Sequence, residues 1–197
     1  MNGLYTFLYA LCRLGFFLWH PVFRVHGREN IPEGGALICC NHSGMADPLW
    51  VIFAMGRKNR MKIMAKVQLI RIPLLGPFLQ WAGVFGVDRG NNDIGAIKTA
   101  LRVLKEGQKL LLFPEGTRVR PPKRIPAKSG AAMLATRTDS LVVPVYVTPR
   151  SAPFVPVDLY FGTPYRMQYE GKKPSLEDLQ SLSDGLLDEI YAMGARA

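Results

Sequence analysis

The sequence predicts an α/β domain with one mixed, mostly parallel central sheet flanked by helices. Short apolar runs bounded by turn residues recur along the chain, and their length and composition are typical of buried strands. Segments with helical periodicity separate these runs, and such alternation favours parallel strands. The 197 residues are enough for one domain with a sizeable core. The four predicted strands are 36–40, 84–87, 110–113 and 141–147.

The first and fourth runs differ in how well they suit a sheet. Ala36-Leu-Ile-Cys-Cys40 is continuously apolar and follows the turn Pro32-Glu-Gly-Gly35. The fourth run, Leu141 to Val147, contains Pro144. Because proline has no N–H to donate to a neighbouring strand, we expect this strand to be weak or to lie near an edge.

Three helices are predicted from apolar spacing and from residues typical of helix ends. The first lies between the second and third strands; Asn92 or Asp93 can cap it, and Gly107 ends it. A second, short helix covers 129–138, and a third begins at Ser175. These helices supply the connections that parallel strands require.

The segment from Val67 to Val87 is strongly apolar but interrupted. Pro73, Gly76, Pro77 and Gly83 exclude one straight helix through it. Three interpretations stay open: the segment could line an apolar tunnel, lie on a membrane, or form an ordinary part of the core.

Residues 1–24 are treated as a separate, N-terminal apolar element, and 25–197 as the main domain. The basic start and small-residue cleavage site of a signal peptide are not visible. Arg13 lies near the middle of the apolar stretch, which argues against a spanning helix. A helix lying in a membrane interface, stopped by Pro21 with Trp19 at headgroup level, fits better. A buried core helix is the alternative.

The chain is strongly basic, with a formal net charge of +10, which favours anionic partners. Two basic runs, 57–62 and 118–128, lack the interleaved aromatic residues of a stacking platform, so we do not expect nucleic-acid binding. They could contact anionic lipid headgroups or an acidic acyl carrier, and a solvated basic face is an equally good interpretation.

The three cysteines predict neither disulfides nor a metal site. Their number is odd, Cys39 adjoins Cys40, and no C-x-x-C pair suggests zinc. We expect reduced thiols, which points to the cytosolic side of a membrane.

Polar clusters follow three of the predicted strands. Asn41-His42 follows the first, Asp88-Arg89 the second, and Pro114-Glu-Gly-Thr-Arg118 the third. Ligands of open α/β sheets bind at the carboxyl ends of the strands, so we expect these clusters to share one site. Arg118 and Arg89 could each bind a phosphate through two parallel hydrogen bonds, although either one alone is more typical of a solvated loop arginine.

His42 and Asp47 are the candidate catalytic pair. In a continuous helix, five residues would turn Asp47 about 140° away from His42. The two can therefore meet only if 43–46 folds back as a loop, which Gly44 permits. Such a pair forms a general base, in which aspartate orients the imidazole. Alternatively, Asp47 is only the N-cap of a helix whose first residue is Pro48.

These residues resemble the conserved blocks of the glycerolipid acyltransferases, of which bacterial 1-acyl-glycerol-3-phosphate acyltransferase (lysophosphatidic acid acyltransferase) is typical. Asn41 to Pro48 resembles the NHxxxxD block, and Phe113-Pro-Glu-Gly-Thr-Arg118 matches the FPEGTR block at every residue. Val84 to Arg89 and Val143 to Tyr146 resemble two further blocks. The order and spacing agree from about residue 25 to 165.

The resemblance implies a reaction and roles for the site residues. His42, oriented by Asp47, would deprotonate the sn-2 hydroxyl of lysophosphatidate, which would attack a fatty acyl thioester directly and give phosphatidate. The donor would be acyl-CoA or acyl carrier protein, with no cofactor and no metal. Lys66 would polarise the thioester carbonyl, although a solvated lysine is the ordinary interpretation. The acceptor site would comprise Arg89, Glu115, Gly116, Thr117, Arg118 and Lys128.

The resemblance also implies a phospholipid-synthesis enzyme at the cytoplasmic face of the cell membrane, attached peripherally or monotopically. Another lysolipid or glycerol phosphate is an alternative acceptor. A non-catalytic lipid-binding protein of the same fold would not need both His42 and Asp47. A lipase or thioesterase is disfavoured because no G-x-S-x-G elbow occurs and Cys40 lies within an apolar strand.

Overall fold

The computed structural model describes residues 3–88, 93–120, 122–149 and 154–195. Within these residues, seven strands form one sheet in the order β1-β7-β6-β2-β5-β3-β4. Neighbouring strands are parallel except for the antiparallel pair β6–β7, so the predicted mostly parallel sheet is confirmed. The strands are β1 Phe23–His26, β2 Ala36–Cys40, β3 Met61–Lys66, β4 Val84–Val87, β5 Lys109–Leu112, β6 Val142–Val147 and β7 Val157–Phe161.

Helices cover both faces of the sheet. One face carries α1 and α2, and the other carries α5, α6 and α7. Alternate residues of β2 supply both cores: Ile38 packs with α2, and Leu37 packs with α5 to α7. The helices are α1 Gly3–Trp19, α2 Asp47–Met55, α3 Val67–Ile70, α4 Leu75–Trp81, α5 Ile94–Lys105, α6 Gly130–Thr138 and α7 Leu176–Ala195.

The four predicted strands are all present as β2, β4, β5 and β6. The expectation that Pro144 puts β6 near an edge is wrong, because β6 lies third from the edge, between β7 and β2. The carbonyl of Pro144 accepts a hydrogen bond from the N–H of Gly162, just beyond β7. A residue's N–H and C=O point to the same side of a strand. The N–H that proline lacks would also face Gly162, just beyond β7, so its absence falls at the end of the β6–β7 pairing, which starts at Val145.

The predicted helices are confirmed, with their ends where the sequence places them. Asp93 caps α5, because its Oδ1 accepts the N–H of Ala96 at 2.9 Å, while Asn92 lies outside the described residues. At α7, Ser175 and Asp178 each accept the other's backbone N–H, at 3.0 and 2.8 Å. Gly107, with φ +70°, follows the end of α5.

The apolar segment 67–87 is divided, as its prolines and glycines predict. It forms α3, α4 and β4 rather than one helix. Several of its large side chains are exposed, so this part of the chain is only partly in the core. They are Leu69, Ile72, Leu74, Leu75, Phe78 and Trp81.

The N-terminal helix α1 ends before Pro21, as predicted, and has two different sides. On one, Phe16 packs edge-on against Trp50 and Phe53 of α2. The other is apolar yet exposed. None of the helices within the described residues is long and apolar enough to cross a membrane. Strand β1 begins at Phe23, so the sheet starts before residue 25. The exposed apolar residues of α1 are Phe7, Leu11, Leu14, Phe17, Leu18 and Trp19.

Candidate active site

Asn41 fixes the backbone where β2 ends and the loop 42–46 begins. We call this segment the catalytic loop, because it joins the candidate catalytic residues His42 and Asp47. Its side-chain Nδ2 donates to the carbonyl of Val147 at 3.0 Å, and its Oδ1 accepts the N–H of Val147 at 2.8 Å. These two bonds continue the pairing between β2 and β6 by one residue beyond β2. The next residue, His42, is thereby held at the carboxyl edge of the sheet.

The loop 43–46 folds back, and His42 and Asp47 meet. The distance from His42 Nδ1 to Asp47 Oδ2 is 3.1 Å. The same oxygen accepts the backbone N–H groups of Ser43 and Gly44, each at 2.7 Å. Asp47 is the first residue of α2, and Ala46 occupies the N-cap position. The alternative that Asp47 is only an N-cap is therefore wrong, because its carboxylate turns back onto the loop.

This arrangement determines which nitrogen of His42 is available for chemistry. The carboxylate of Asp47 is 0% exposed and, when ionised, can only accept hydrogen bonds. The proton of neutral His42 is therefore on Nδ1, and the lone pair is on Nε2. The imidazole lies over the ring of Phe113, with centroids 4.2 Å apart, and its side chain is 12% exposed. Packing and hydrogen bonding together orient a base.

Glu115 lies beneath this pair, buried to 1% exposure. Its Oε2 accepts the backbone N–H of His42 at 2.8 Å, and its Oε1 accepts the hydroxyl proton of Tyr191. Burial raises the pKa of Glu115, and the two hydrogen bonds act against that shift. The carboxylate thus joins the loop after β5 to the loop after β2, rather than being directed to solvent.

The turn after β5 is tight and needs its glycine. Gly116 has φ +68°, and its N–H donates to the carbonyl of Phe113 at 2.9 Å. A Cβ there would lie 3.1 Å from Cγ of Lys128. The carbonyl of His42 accepts the N–H of Val119 at 2.7 Å, so the far side of this turn is also bonded to the catalytic loop.

The predicted substrate-binding residues are distributed around this turn and along the same edge of the sheet. Thr117, Arg118 and Lys128 are exposed beside it. Lys66 is the last residue of β3, next to β5, and is also exposed. Arg89 lies outside the described residues. The described cationic side chains therefore lie at the same edge of the sheet as the histidine pair.

Tyr191 was not among the sequence predictions, although it contacts Glu115. It follows the buried Leu187 by four residues, which places both on one face of α7. Nothing in that spacing pairs it with a glutamate 76 residues earlier. Its neighbour Arg124, also missed, lies 4.6 Å from the centre of the Tyr191 ring.

Two observations bear on metal binding and on a cysteine nucleophile. Within the ranges that the structure describes, no group of three or more His, Cys, Asp or Glu side chains is arranged to hold a metal ion. Cys40 is buried within β2, and burial raises the pKa of the neighbouring Cys39 thiol. Buried thiols with raised pKa values are poor nucleophiles.

A parallel sheet with an oriented histidine base at its carboxyl edge, beside a glycine turn with exposed cations, defines a class of site. It can deprotonate a hydroxyl group and hold a nearby anion.

Comparison with known proteins identifies the family. A family model described as "Acyltransferase" matches residues 22–148. The 1-acyl-sn-glycerol-3-phosphate acyltransferase of Bacillus subtilis is 31% identical over 173 residues, covering 85% of each chain. That of Streptococcus pneumoniae is 28% identical over 197 residues, covering 96% of this chain and 72% of the other. The chain belongs to the acyltransferase family, as its motifs predict.

A solved structure shares the fold. The crystal structure of the 1-acyl-sn-glycerophosphate acyltransferase of Thermotoga maritima superposes with a TM-score of 0.67 at 24% identity. The similarity covers 89% of this chain and 73% of the other. The predicted α/β fold is confirmed by this likeness.

Proposed function

We propose that the chain is a 1-acyl-sn-glycerol-3-phosphate O-acyltransferase, which transfers a fatty acyl group to the sn-2 hydroxyl of lysophosphatidate. The observation that carries the proposal is the contact of His42 Nδ1 with Asp47 Oδ2, beside the exposed Arg118. Relatives of that name match over most of the chain.

The reaction follows from the free Nε2 of His42. This nitrogen takes the proton of the acceptor hydroxyl, and the oxygen attacks the carbonyl carbon of the thioester. A C–O bond forms, the C–S bond breaks, and the proton passes from the imidazolium to the leaving thiolate. Asp47 stabilises the imidazolium, as a buried carboxylate bonded to Nδ1 does in other catalytic histidine–aspartate pairs. No covalent acyl-enzyme is needed.

The acceptor phosphate is proposed to bind at the turn after β5. Gly116 allows the tight turn, and Thr117 and Arg118 are exposed on it. A guanidinium binds phosphate through two parallel hydrogen bonds. Glu115 supports this site from beneath, since both of its oxygens bond to protein donors.

Other cations complete the proposed substrate site. Lys128 lies against Gly116 and adds positive charge near the phosphate. Arg89, which follows β4 in the sequence, is proposed as a second phosphate ligand. Lys66 at the end of β3 is proposed to polarise the carbonyl of the donor, either acyl-CoA or acyl carrier protein, which is a co-substrate rather than a resident cofactor.

Membrane attachment is proposed through exposed apolar residues at the cytoplasmic face of the cell membrane. The outer side of α1 and the segment α3–α4 expose many of them, and patches of this kind mark interaction surfaces. Met45, inside the catalytic loop, is 74% exposed. Lipid contact at this residue would bring the histidine pair to the surface in which the acceptor resides.

An assay of purified protein tests the proposal. Lysophosphatidate is supplied on vesicles with acyl-CoA or acyl carrier thioester in parallel, and phosphatidate and free thiol are both measured. We expect equal amounts of the two products with at least one donor. If only another lysolipid or glycerol phosphate is acylated, lysophosphatidate is not the acceptor. Thiol release without ester formation would contradict acyl transfer.

A further inference from the structure

Helix α7 lies beyond residue 148, where the family match ends, yet it is bonded to the loop that follows β5. The Oδ1 of Asp184 accepts the N–H of Ala127 at 2.9 Å, and Nε2 of Gln180 donates to the carbonyl of Ala127 at 2.9 Å. Arg124 of the same loop lies over the ring of Tyr191. The helix therefore holds this loop at more than one point.

Tyr191 extends this connection to the base. Its hydroxyl donates to Oε1 of Glu115, and Oε2 of Glu115 accepts the N–H of His42 at 2.8 Å. One carboxylate thus links three segments: α7, the turn after β5 and the loop after β2. These hydrogen bonds therefore connect α7 to the backbone of His42, whose side chain is the proposed base.

The energetics of a buried carboxylate make the hydroxyl of Tyr191 important. A buried ion is tolerated when hydrogen bonds replace its lost hydration. Without the tyrosine hydroxyl, Oε1 of Glu115 loses its donor, and the protonated carboxyl becomes more favourable. A neutral Glu115 holds the His42 N–H less strongly, since hydrogen bonds to charged acceptors are the stronger ones.

We propose that Tyr191 is a positioning residue: through Glu115 it holds the His42 backbone and the Thr117–Arg118 turn in the arrangement needed for acyl transfer. The proposal rests on the proposed function, in which His42 is the base. It makes α7 a part of the catalytic apparatus. A displacement of about 1 Å in a reacting group can reduce a rate by about a hundredfold.

The test compares Tyr191→Phe with a matched control at Tyr165, a tyrosine outside α7 that lies near another glutamate of this helix. Burial and the nearby Glu189 of α7 raise the pKa of Tyr165, so Tyr165→Phe alters a second tyrosine–glutamate pair without touching His42 or Glu115. The rates kcat and kcat/KM for both substrates are measured across pH. For Tyr191→Phe we expect kcat to fall about tenfold or more, and for Tyr165→Phe a change within about twofold.

The pH profile separates positioning from general stability. The groups that face Glu115 are Tyr191, His42 and Asp47, while Arg124 and Tyr146 lie beside Tyr191. Burial raises the pKa of Glu115 and the Tyr191 hydrogen bond lowers it, so removing that bond raises it further. Activity that needs the ionised carboxylate is then lost at a higher pH, and the acid limb of kcat/KM moves upward.

Glu115→Gln provides the same test from the other partner. Glutamine keeps the shape but does not titrate, so adding Tyr191→Phe to it should leave the acid limb unmoved. Melting temperatures check that each variant is folded, and Glu115→Gln serves alone if Tyr191→Phe does not fold. In that case we expect Glu115→Gln itself to lower kcat at least tenfold while remaining folded.

The outcomes that contradict the proposal are distinct from failure of the proposed function. An unmodified protein with no acyl transfer refutes the function itself. An active protein whose Tyr191→Phe variant matches Tyr165→Phe in rate and in pH profile refutes only the positioning role. A fully active Glu115→Gln variant would do the same.

Discussion

The two ends of the strands, called here the carboxyl edge and the amino edge of the sheet, are both polar but are organised differently. At the carboxyl edge, His42, Asp47 and Glu115 bond to each other and to the backbone of their loops. At the amino edge lies a cleft of about 900 Å³, whose cations include Arg57, Lys58, Arg60, Lys62 and Lys109. None of the described residues that line it is a histidine or a carboxylate.

The difference shows that cavity size and charge alone do not indicate chemistry. Lys109, 7% exposed, donates from Nζ to the carbonyl of Gly34 at 2.7 Å, and burial lowers its pKa. That bond fixes a cation but activates nothing. At the opposite edge, hydrogen bonds determine the tautomer of His42 and leave Nε2 available. Substitutions at the two edges should therefore differ in effect.

The largest effect is expected for His42→Ala. Without the base, kcat should fall by about 10²–10⁴-fold, measured as phosphatidate formed by purified protein. His26→Ala is the matched control, because His26 is also bonded to an aspartate, Asp158, but lies in β1. Substantial activity in a folded His42→Ala protein would refute the mechanism.

Asp47→Asn should have the next largest effect. Asparagine keeps the shape but no longer stabilises the imidazolium, so kcat should fall by about a hundredfold or more. Steady-state kinetics measure this, and Asp158→Asn, at the partner of His26, should change kcat little. An equal loss in both variants would show that the effect is not specific to the pair.

Arg118→Ala should act on binding of the acceptor. Loss of a charged hydrogen bond costs about 1.5–3 kcal/mol. The KM for lysophosphatidate should therefore rise about tenfold or more, since about 1.4 kcal/mol corresponds to tenfold. The KM for the donor should change little. If both KM values rise equally, Arg118 is not a phosphate ligand.

The smallest effect is expected at the amino edge, for Lys58→Ala. Exposed charges contribute little energy, so kcat and both KM values should stay within about twofold in a soluble assay. This variant removes one charge, as Arg118→Ala does, and is its counterpart at the other edge. A large loss of kcat would show that the two edges are coupled.

The sequence predicts best the strands that are buried on both faces. In β2 and β5 the apolar runs are continuous, as is typical of central parallel strands. In contrast, β1, β3 and β7 were not predicted. Phe-Arg-Val-His in β1 and Val-Asp-Leu-Tyr-Phe in β7 alternate between apolar and polar residues, and lysines interrupt β3. Short alternating runs containing charges resemble loops until a partner strand is known.

The site was predictable where its chemistry is local in the chain. His42 and Asp47 are five residues apart, and Gly44 signals the turn that joins them. The link from Glu115 to Tyr191 spans 76 residues, so only the packing of α7 brings it together. Arrangements of this kind have no periodicity or spacing from which they could be inferred.

The proposed contact of Met45 with lipid has a kinetic consequence. With this side chain in the lipid surface, as the proposed attachment has it, His42 would meet its acceptor in two dimensions rather than three. The rate would then follow the mole fraction of lysophosphatidate in the leaflet, and inert lipid would slow the reaction by dilution within the surface. Through its contact with lipid, the four-residue loop between His42 and Asp47 would thus make the surface concentration of substrate, rather than its bulk concentration, the quantity that determines the rate.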